Sequence, residues 1–255
     1  MPGYLRIDDA MTAQEQRQQR YRERYKTLRP GWDDSVMALS RLFRGHVPAG
    51  AVVLDAGCGR SNYVLEQNRP RVGRVVGFDV TREATTGNTV ADEILLGDLE
   101  ALPFAPETFD AVVSLWVLEH VHHPQAVFSE VARVLKPGGR FFFVTPYSYS
   151  YILLAKRLAG ARATGLALKR LYGRTEDDTF DTDYRANTPR DIRRLADEAG
   201  LKELTLVANE DPSYLGLNDL LFSVAVGVQD VMRALKLPFA DMHLIGVYEK
   251  PRVTN

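Results

Sequence analysis

Three carboxylates each follow a short apolar run in the first hundred residues of this chain. Asp55 follows Ala51-Val52-Val53-Leu54, Asp79 follows Val75-Val76-Gly77-Phe78, and Asp98 follows Ile94-Leu95-Leu96-Gly97. The first acid leads into Gly57-Cys58-Gly59. Glycines reach backbone angles closed to other residues and present bare main chain to a ligand. An acid about 20 residues beyond such a turn is placed to grip a ribose diol with charge-assisted hydrogen bonds. Asp79 stands 20 residues after Gly59. A dinucleotide loop would carry a third glycine at position 62, where this chain has Asn62.

The elements that must hold these residues are short buried strands alternating with helices. The run before Asp55 reads as a parallel strand, and Ser61 and Asn62 suit the start of a helix. Earlier in the chain, residues 14–29 read as a charged helix on which Tyr21, Tyr25 and Leu28 share a face; Pro30-Gly31 breaks it and a second helix spans 35–43. The first core helix is expected over 61–67 and the second strand over 74–78, with only a short helix in the polar stretch 81–92. A fourth strand is expected over 109–115. Val127, Val131, Val134 and Leu135 then mark an amphipathic helix, which Pro137-Gly138-Gly139 stops before a fifth strand over 140–145. Thr188-Pro189-Arg190-Asp191 is a helix start, with a cap, a proline at the first position and an acid in the first turn. A sixth strand follows over 201–207 and a last one over 244–248.

Together these stretches resemble class I S-adenosylmethionine-dependent methyltransferases of the type 11, ubiquinone-biosynthesis-like kind. Phe109-Asp110-Ala111-Val112-Val113-Ser114, Glu119-His120-Val121 and Leu135-Lys136-Pro137-Gly138-Gly139 strengthen the match. It is close over 50–145 and loose over 185–250. The resemblance implies an α/β, Rossmann-like, seven-stranded and mostly parallel sheet with helices on both faces, its last strand antiparallel. It also implies one methyltransferase domain, with a helical cap (1–46), a cofactor-binding half (50–145), two helical insertions on the substrate side (146–187 and 211–240), and closing core elements (188–210 and 241–250). The cofactor it implies is S-adenosyl-L-methionine. Asp55, Gly57, Cys58 and Gly59 would surround its methionine and ribose, Asp79 would take the ribose hydroxyls, and Val80 would lie beside the adenine. Asp98 would accept from the adenine amino group, helped by the Leu99 backbone, and Ser114 and Leu115 would line the methionine side. Cys58 reads as a small residue filling a tight turn and not as a reactive thiol.

The acceptor side is less determinate. His120 is the candidate catalytic base for an oxygen acceptor. It equally suits a structural helix start. Metal-binding relatives carry Glu-x-x-Glu-His here. This chain has Trp116 in place of the first glutamate, so no metal is expected and Trp116 reads as an apolar wall. Tyr147, Tyr149, Tyr184 and Arg185 are the remaining substrate candidates, in a pocket expected from the N-terminal helix and both insertions. The first insertion carries a basic stretch, 156–174, and an acidic patch, 176–183; the second carries an apolar helical stretch, 215–237.

Composition bounds the rest. The 255 residues are 45% hydrophobic with a net charge of −1, ample for a core and without a global pull toward nucleic acid. Cys58 is the only cysteine, which leaves no intrachain disulfide and no cysteine metal cluster. No signal-peptide core or long apolar run stands out, so a cytoplasmic protein is expected, with peripheral contact at the inner membrane surface. The reading is methyl transfer to a small-molecule or lipid-linked acceptor, more readily at oxygen. A protein or RNA acceptor and a non-catalytic cofactor-binding module stay open as alternatives. Asn62 and the Asp98 element weigh against an NAD-dependent oxidoreductase. The sequence does not fix the oligomeric state.

Overall fold

The computed structural model describes residues 13–151, 153–154, 182–235 and 237–252. The basic stretch 156–174, most of the acidic patch and residues 1–12 lie outside them. In chain order the elements are α1 (Ala13–Leu28), α2 (Ser35–His46), β1 (Val52–Ala56), α3 (Tyr63–Asn68), β2 (Arg74–Asp79), β3 (Glu93–Leu96), β4 (Phe109–Leu115), α4 (Pro124–Val134), β5 (Leu135–Pro146), α5 (Pro189–Glu198), β6 (Lys202–Asn209), α6 (Asp219–Ala234) and β7 (His243–Glu249). They fall into two units. One takes the described residues of Met1–Asp34, Tyr147–Phe180 and Asn209–His243; the other takes those of Ser35–Pro146, Asp181–Ala208 and Leu244–Asn255.

The larger unit is built on a seven-stranded sheet in the order β3-β2-β1-β4-β5-β7-β6. Pairings from β3 to β5 are parallel. β7 returns antiparallel: Gly138 donates its N–H to the Lys250 carbonyl at 2.7 Å, and Lys250 donates to Gly139 at 2.9 Å. The chain leaves β1 toward β2 and β3, then returns to pair β4 on the other side of β1. That reversal opens a crevice at the carboxyl ends of β1 and β4, the place where such sheets bind ligands. Alternation along β5 serves both faces of the sheet. Phe142 and Val144 join Leu39, Phe43, Val53 and Val113 in one core cluster. On the other face Phe141 and Phe143 lie at 5.0 Å, with Phe128 edge-on to Phe141 at 5.6 Å and Tyr248 stacked on Phe143. α2 packs on α3 and α4 on α5.

The smaller unit pairs α1 with α6. Tyr21 and Tyr25 are fully buried, and Tyr21 stacks on Phe222 at 4.6 Å. Tyr21 Oη donates to Asp219 at 3.0 Å, Tyr25 Oη donates to Glu210 at 2.6 Å, and Arg29 holds both Asp230 oxygens at 2.7 Å.

Three local expectations need correction. Leu28 does not share the tyrosines' burial; it is half exposed. The stretch after β2 forms consecutive turns and no helix; its Thr81 and Asn88 side chains bond the amides of Ala84, Val90 and Ala91. The glycine pair is not what ends α4. β5 already begins at Leu135, paired with Phe109, and Lys136 reaches Asp110 at 2.8 Å; Gly138 then sits within the strand at φ 82°, beside a register shift.

Candidate functional site

β1 delivers Asp55 to the floor of the crevice with no exposure to solvent. Its Oδ1 accepts from Asn62 Nδ2 at 2.6 Å, and its Oδ2 has no hydrogen-bond partner. Asn62 also caps α3, its Oδ1 accepting from Val64 and Leu65 at 3.1 and 3.3 Å. One asparagine therefore starts the helix and holds the acid, two tasks that a glycine at this position would leave undone. Burial pushes the Asp55 carboxyl up to about 7, against the Asn62 bond and together with the charge of Asp79.

The turn 57–59 is shaped by the end of β2. Gly57 and Cys58 donate to the Phe78 carbonyl at 2.8 and 3.1 Å. Gly59 N–H donates to Asp79 Oδ2 and Val80 N–H to Asp79 Oδ1, both at 2.8 Å. Asn88, unremarked in the sequence, closes the turn by donating to the Cys58 and Gly59 carbonyls. Gly57 sits at φ 78°, and a Cβ there would lie 2.2 Å from Val117 Cγ2, so only glycine fits. Cys58 is buried and its thiol is pushed up to about 12, chiefly by burial and then by Asp55 and Asp79. That is the behaviour of a packing residue.

Beside this turn β2 ends in Asp79, the exposed Val80 follows it, and Asp98 and Leu99 follow β3. The pairing of Asp79 with Leu96 sets those two ends side by side. Across β1, Ser114 and Leu115 end β4, and Asp55 is in register with Val113. Ser114 Oγ, like Asp55 Oδ2, is buried without a hydrogen-bond partner. Two orphaned polar atoms at the carboxyl ends of adjacent strands suit a ligand that carries a charged amine. The carboxylate of Asp79 and the apolar Val80 suit a nucleoside. This donor set fits S-adenosylmethionine.

β4 hands over to a second cluster. Trp116 takes φ 61°, with its N–H on the Val144 carbonyl at 3.0 Å. The 3-10 turn Leu118–His120 follows. Glu119 is 5% exposed; Thr145 Oγ1 donates to its Oε2 at 3.2 Å, and Asn187 Nδ2 donates to Thr145 Oγ1 at 2.6 Å. Burial raises the Glu119 carboxyl to about 7, opposed by its backbone and Thr145 bonds. His120 Nε2 lies 4.0 Å from Glu119 Oε1. Tyr184, at φ 50°, and Asp183 both donate N–H to the Glu119 carbonyl. Sequence reasoning named Trp116, His120 and Tyr184 but missed Thr145 and Asn187, which no local pattern marks. His122 and His123 are drawn off to Asp183 and Glu100, and Arg185 binds Asp183 and the His122 carbonyl on the surface. Tyr147 and Tyr149 belong to the smaller unit, edge-on at 5.6 Å, the first buried and the second exposed.

Comparison with known proteins agrees with this geometry. A family described as a methyltransferase domain matches residues 54–143. A ubiquinone biosynthesis O-methyltransferase of Thiobacillus denitrificans is 34% identical over 171 residues, which is 62% of this chain and 68% of that protein. The enzyme of the same name from Dechloromonas aromatica is 33% identical over 140 residues, 50% of this chain and 56% of its own length. The chain spans less than two thirds of most of the curated relatives it matches. Among solved structures, geranyl diphosphate C-methyltransferase from Streptomyces coelicolor superposes with a TM-score of 0.56 at 17% identity, over 84% of this chain and 79% of that one, and shares the fold.

Asp79→Ala is expected to weaken S-adenosylmethionine binding by about 1.5–3 kcal/mol, because it removes a charged acceptor and frees the Gly59 amide. Isothermal calorimetry checks this, and unchanged affinity would take Asp79 out of the site. A pH effect follows from Asp55. Its carboxyl holds a proton more tightly folded than unfolded, so the stability it contributes is complete below the unfolded value of 3.8 and is lost as pH rises toward 7. Between pH 5 and 8, Asp55→Asn should remove on the order of 2 kcal/mol of the wild-type decline in urea stability. An equal decline in both proteins would rule this out.

Proposed function

Because the chain belongs to the class I S-adenosylmethionine-dependent methyltransferases, we propose that it transfers the cofactor's methyl group to a hydroxyl oxygen of a small or lipid-linked acceptor. The cofactor supplies a methyl group already activated on a sulfonium. The chain's own task is then to hold donor and acceptor in line, exclude water and take the acceptor's proton. Asp79, Val80 and Asp98 hold the nucleoside end, and Asp55 and Ser114 the amino-acid end. Trp116 walls the acceptor. The proton passes from the hydroxyl to His120 as its oxygen takes the methyl group. The observation that carries this reading is His120 itself. It stands partly exposed on the turn directly after β4, in the same unit as the donor residues and with a buried carboxylate behind it. Quinol-type hydroxyls are the favoured class, in keeping with the names of the O-methyltransferases the chain resembles. No metal enters this reading, since Trp116 replaces a glutamate that metal-binding relatives carry.

A membrane-borne acceptor is favoured by α6. No helix among the described residues is long and apolar enough to cross a membrane. Yet Leu220, Val224 and Val231, on one face of α6, are 73%, 54% and 59% exposed, while Phe222 and Val226 pack with the tyrosines of α1. Such a stripe suits shallow insertion at a lipid surface.

Incubating the protein with methyl-labelled S-adenosylmethionine and catechol or hydroquinone should give labelled ether product, with turnover unchanged by EDTA. Label on carbon, or loss of turnover restored by magnesium, would overturn the oxygen or the metal-free assignment respectively. In flotation assays the protein should rise with anionic vesicles, and Leu220→Ser with Val224→Ser and Val231→Ser should reduce that several-fold. If the wild type stays at the bottom of the gradient at low salt, the lipid contact is lost.

A further inference from the structure

Glu119 is the buried group whose surroundings neither packing nor donor binding accounts for. A carboxyl removed from water is costly unless its oxygens are bonded. Glu119 sits at 5% exposure with a single side-chain donor, Thr145, on Oε2. That donor is itself fixed: Asn187 Nδ2 donates to Thr145 Oγ1 at 2.6 Å and to the Pro146 carbonyl at 3.0 Å. The Thr145 hydroxyl proton is thereby committed to Glu119. The other carboxyl oxygen, Oε1, faces His120 Nε2 at 4.0 Å. That separation is within ion-pair range and longer than a hydrogen bond. The backbone reinforces the placement. Asp183 and Tyr184 N–H groups clamp the Glu119 carbonyl at 2.8 and 3.2 Å, and Tyr184 and Trp116, three residues before Glu119, are two of the three non-glycine residues at positive φ among the described residues. Strained residues gathered around one buried acid mark a site held for function.

The geometry points to Glu119 as the positioning residue for His120, the end of a buried chain Asn187–Thr145–Glu119 that orients the imidazole and stabilises it when it takes the acceptor's proton. This rests on the reading of His120 as the base. The carboxylate faces Nε2, so Nε2 is the ring nitrogen turned toward Glu119. The same division of roles, an acid behind a histidine, recurs on unrelated folds. Burial raises the Glu119 carboxyl to about 7. The titratable and charged groups around it are His120 on its own turn and His122, Asp183 and Arg185 beyond; Thr145 from β5 and Asn187 before α5 bring hydrogen bonds and no charge. A residue needed only for packing would leave both the titration and the acceptor dependence below unmoved.

Two measurements on the full chain test this. In the first, the Glu119 side-chain carboxyl is titrated by carbon-13 NMR in the wild type and in His120→Ala. Removing the facing ring should move the Glu119 midpoint by about half a pH unit or more; an unmoved midpoint overturns the pairing, whatever the acceptor. In the second, kcat/KM is compared for catechol and for 4-nitrocatechol, which is already ionised at pH 8 and does not need a base. Glu119→Gln should lose about 10- to 100-fold on catechol and less than about 3-fold on 4-nitrocatechol, with the KM for S-adenosylmethionine unchanged. Equal losses on both acceptors would make Glu119 structural and overturn the proposal. If Glu119→Gln does not fold, Thr145→Val takes its place, with the same selective loss expected. Should the wild type methylate neither phenol while the NMR coupling is present, the acceptor class fails and the Glu119–His120 pair stands.

Discussion

The end of β2 is the template on which the donor site is built. One carbonyl, Phe78, and one carboxylate, Asp79, receive the amides of Gly57, Cys58, Gly59 and Val80. The glycine turn after β1 therefore does not shape itself. Its amides are spent on the neighbouring strand, and its carbonyls at Cys58 and Gly59 are tied by Asn88. Each carboxylate oxygen of Asp79 has lone-pair capacity left after one backbone bond, so it can fix the turn and still accept from a diol. The parallel register that sets Ala56 opposite Phe78 makes this possible, because it brings the two strand ends level.

The same turn is also coupled to the acid–base side of the crevice. Gly57 presses so closely on Val117 that any side chain would collide, and Val117 lies between Trp116 and the turn carrying Glu119 and His120. Holding Trp116 in the left-handed region costs about 1–2 kcal/mol. The cost is offset where the ring packs against the core cluster and the N–H reaches Val144. The glycine turn and the segment leading to Glu119 and His120 thus meet through direct contact, and a change on one side strains the other.

Much of this was legible because a fixed ligand imposes a fixed pattern. Asp55, Gly57, Gly59, Asp79 and Asp98 stand at strand ends that the apolar runs mark, and the family resemblance supplies the ligand they would hold. The strands were legible too, since buried parallel strands read as continuous apolar runs. What escaped has a common cause. Asn88, Thr145 and Asn187 act through hydrogen bonds between residues 26 to 42 positions apart, and a polar residue with a distant partner looks like any other polar residue. The early start of β5 escaped because proline and glycines read as a stop, whereas pairing with β4 and the Lys136–Asp110 bridge carry the strand through them. Leu28 followed the helical period and is still exposed, because α6 covers only the two tyrosines.

The acceptor is harder to read for a reason that lies in the chemistry. Methyl transfer from an activated donor asks little of the acceptor side beyond placement and one proton, and placement can be met by almost any wall of the right shape. The candidate side chains sort themselves by how readily they release or take a proton. Tyr147 is buried, and burial, then Asp241, then Tyr149 hold its phenol above its ordinary range, so it stays a neutral donor and not a base. His122 is engaged by Asp183, which raises it and ties it to the surface. Arg185 is committed to the same acid. Glu119 differs from all of these: it is buried, its charge is poised near neutrality, and one of its oxygens faces a histidine across 4.0 Å. In the proposed reaction the proton therefore goes to the turn after β4, beside the crevice that the reversal of strand order opens.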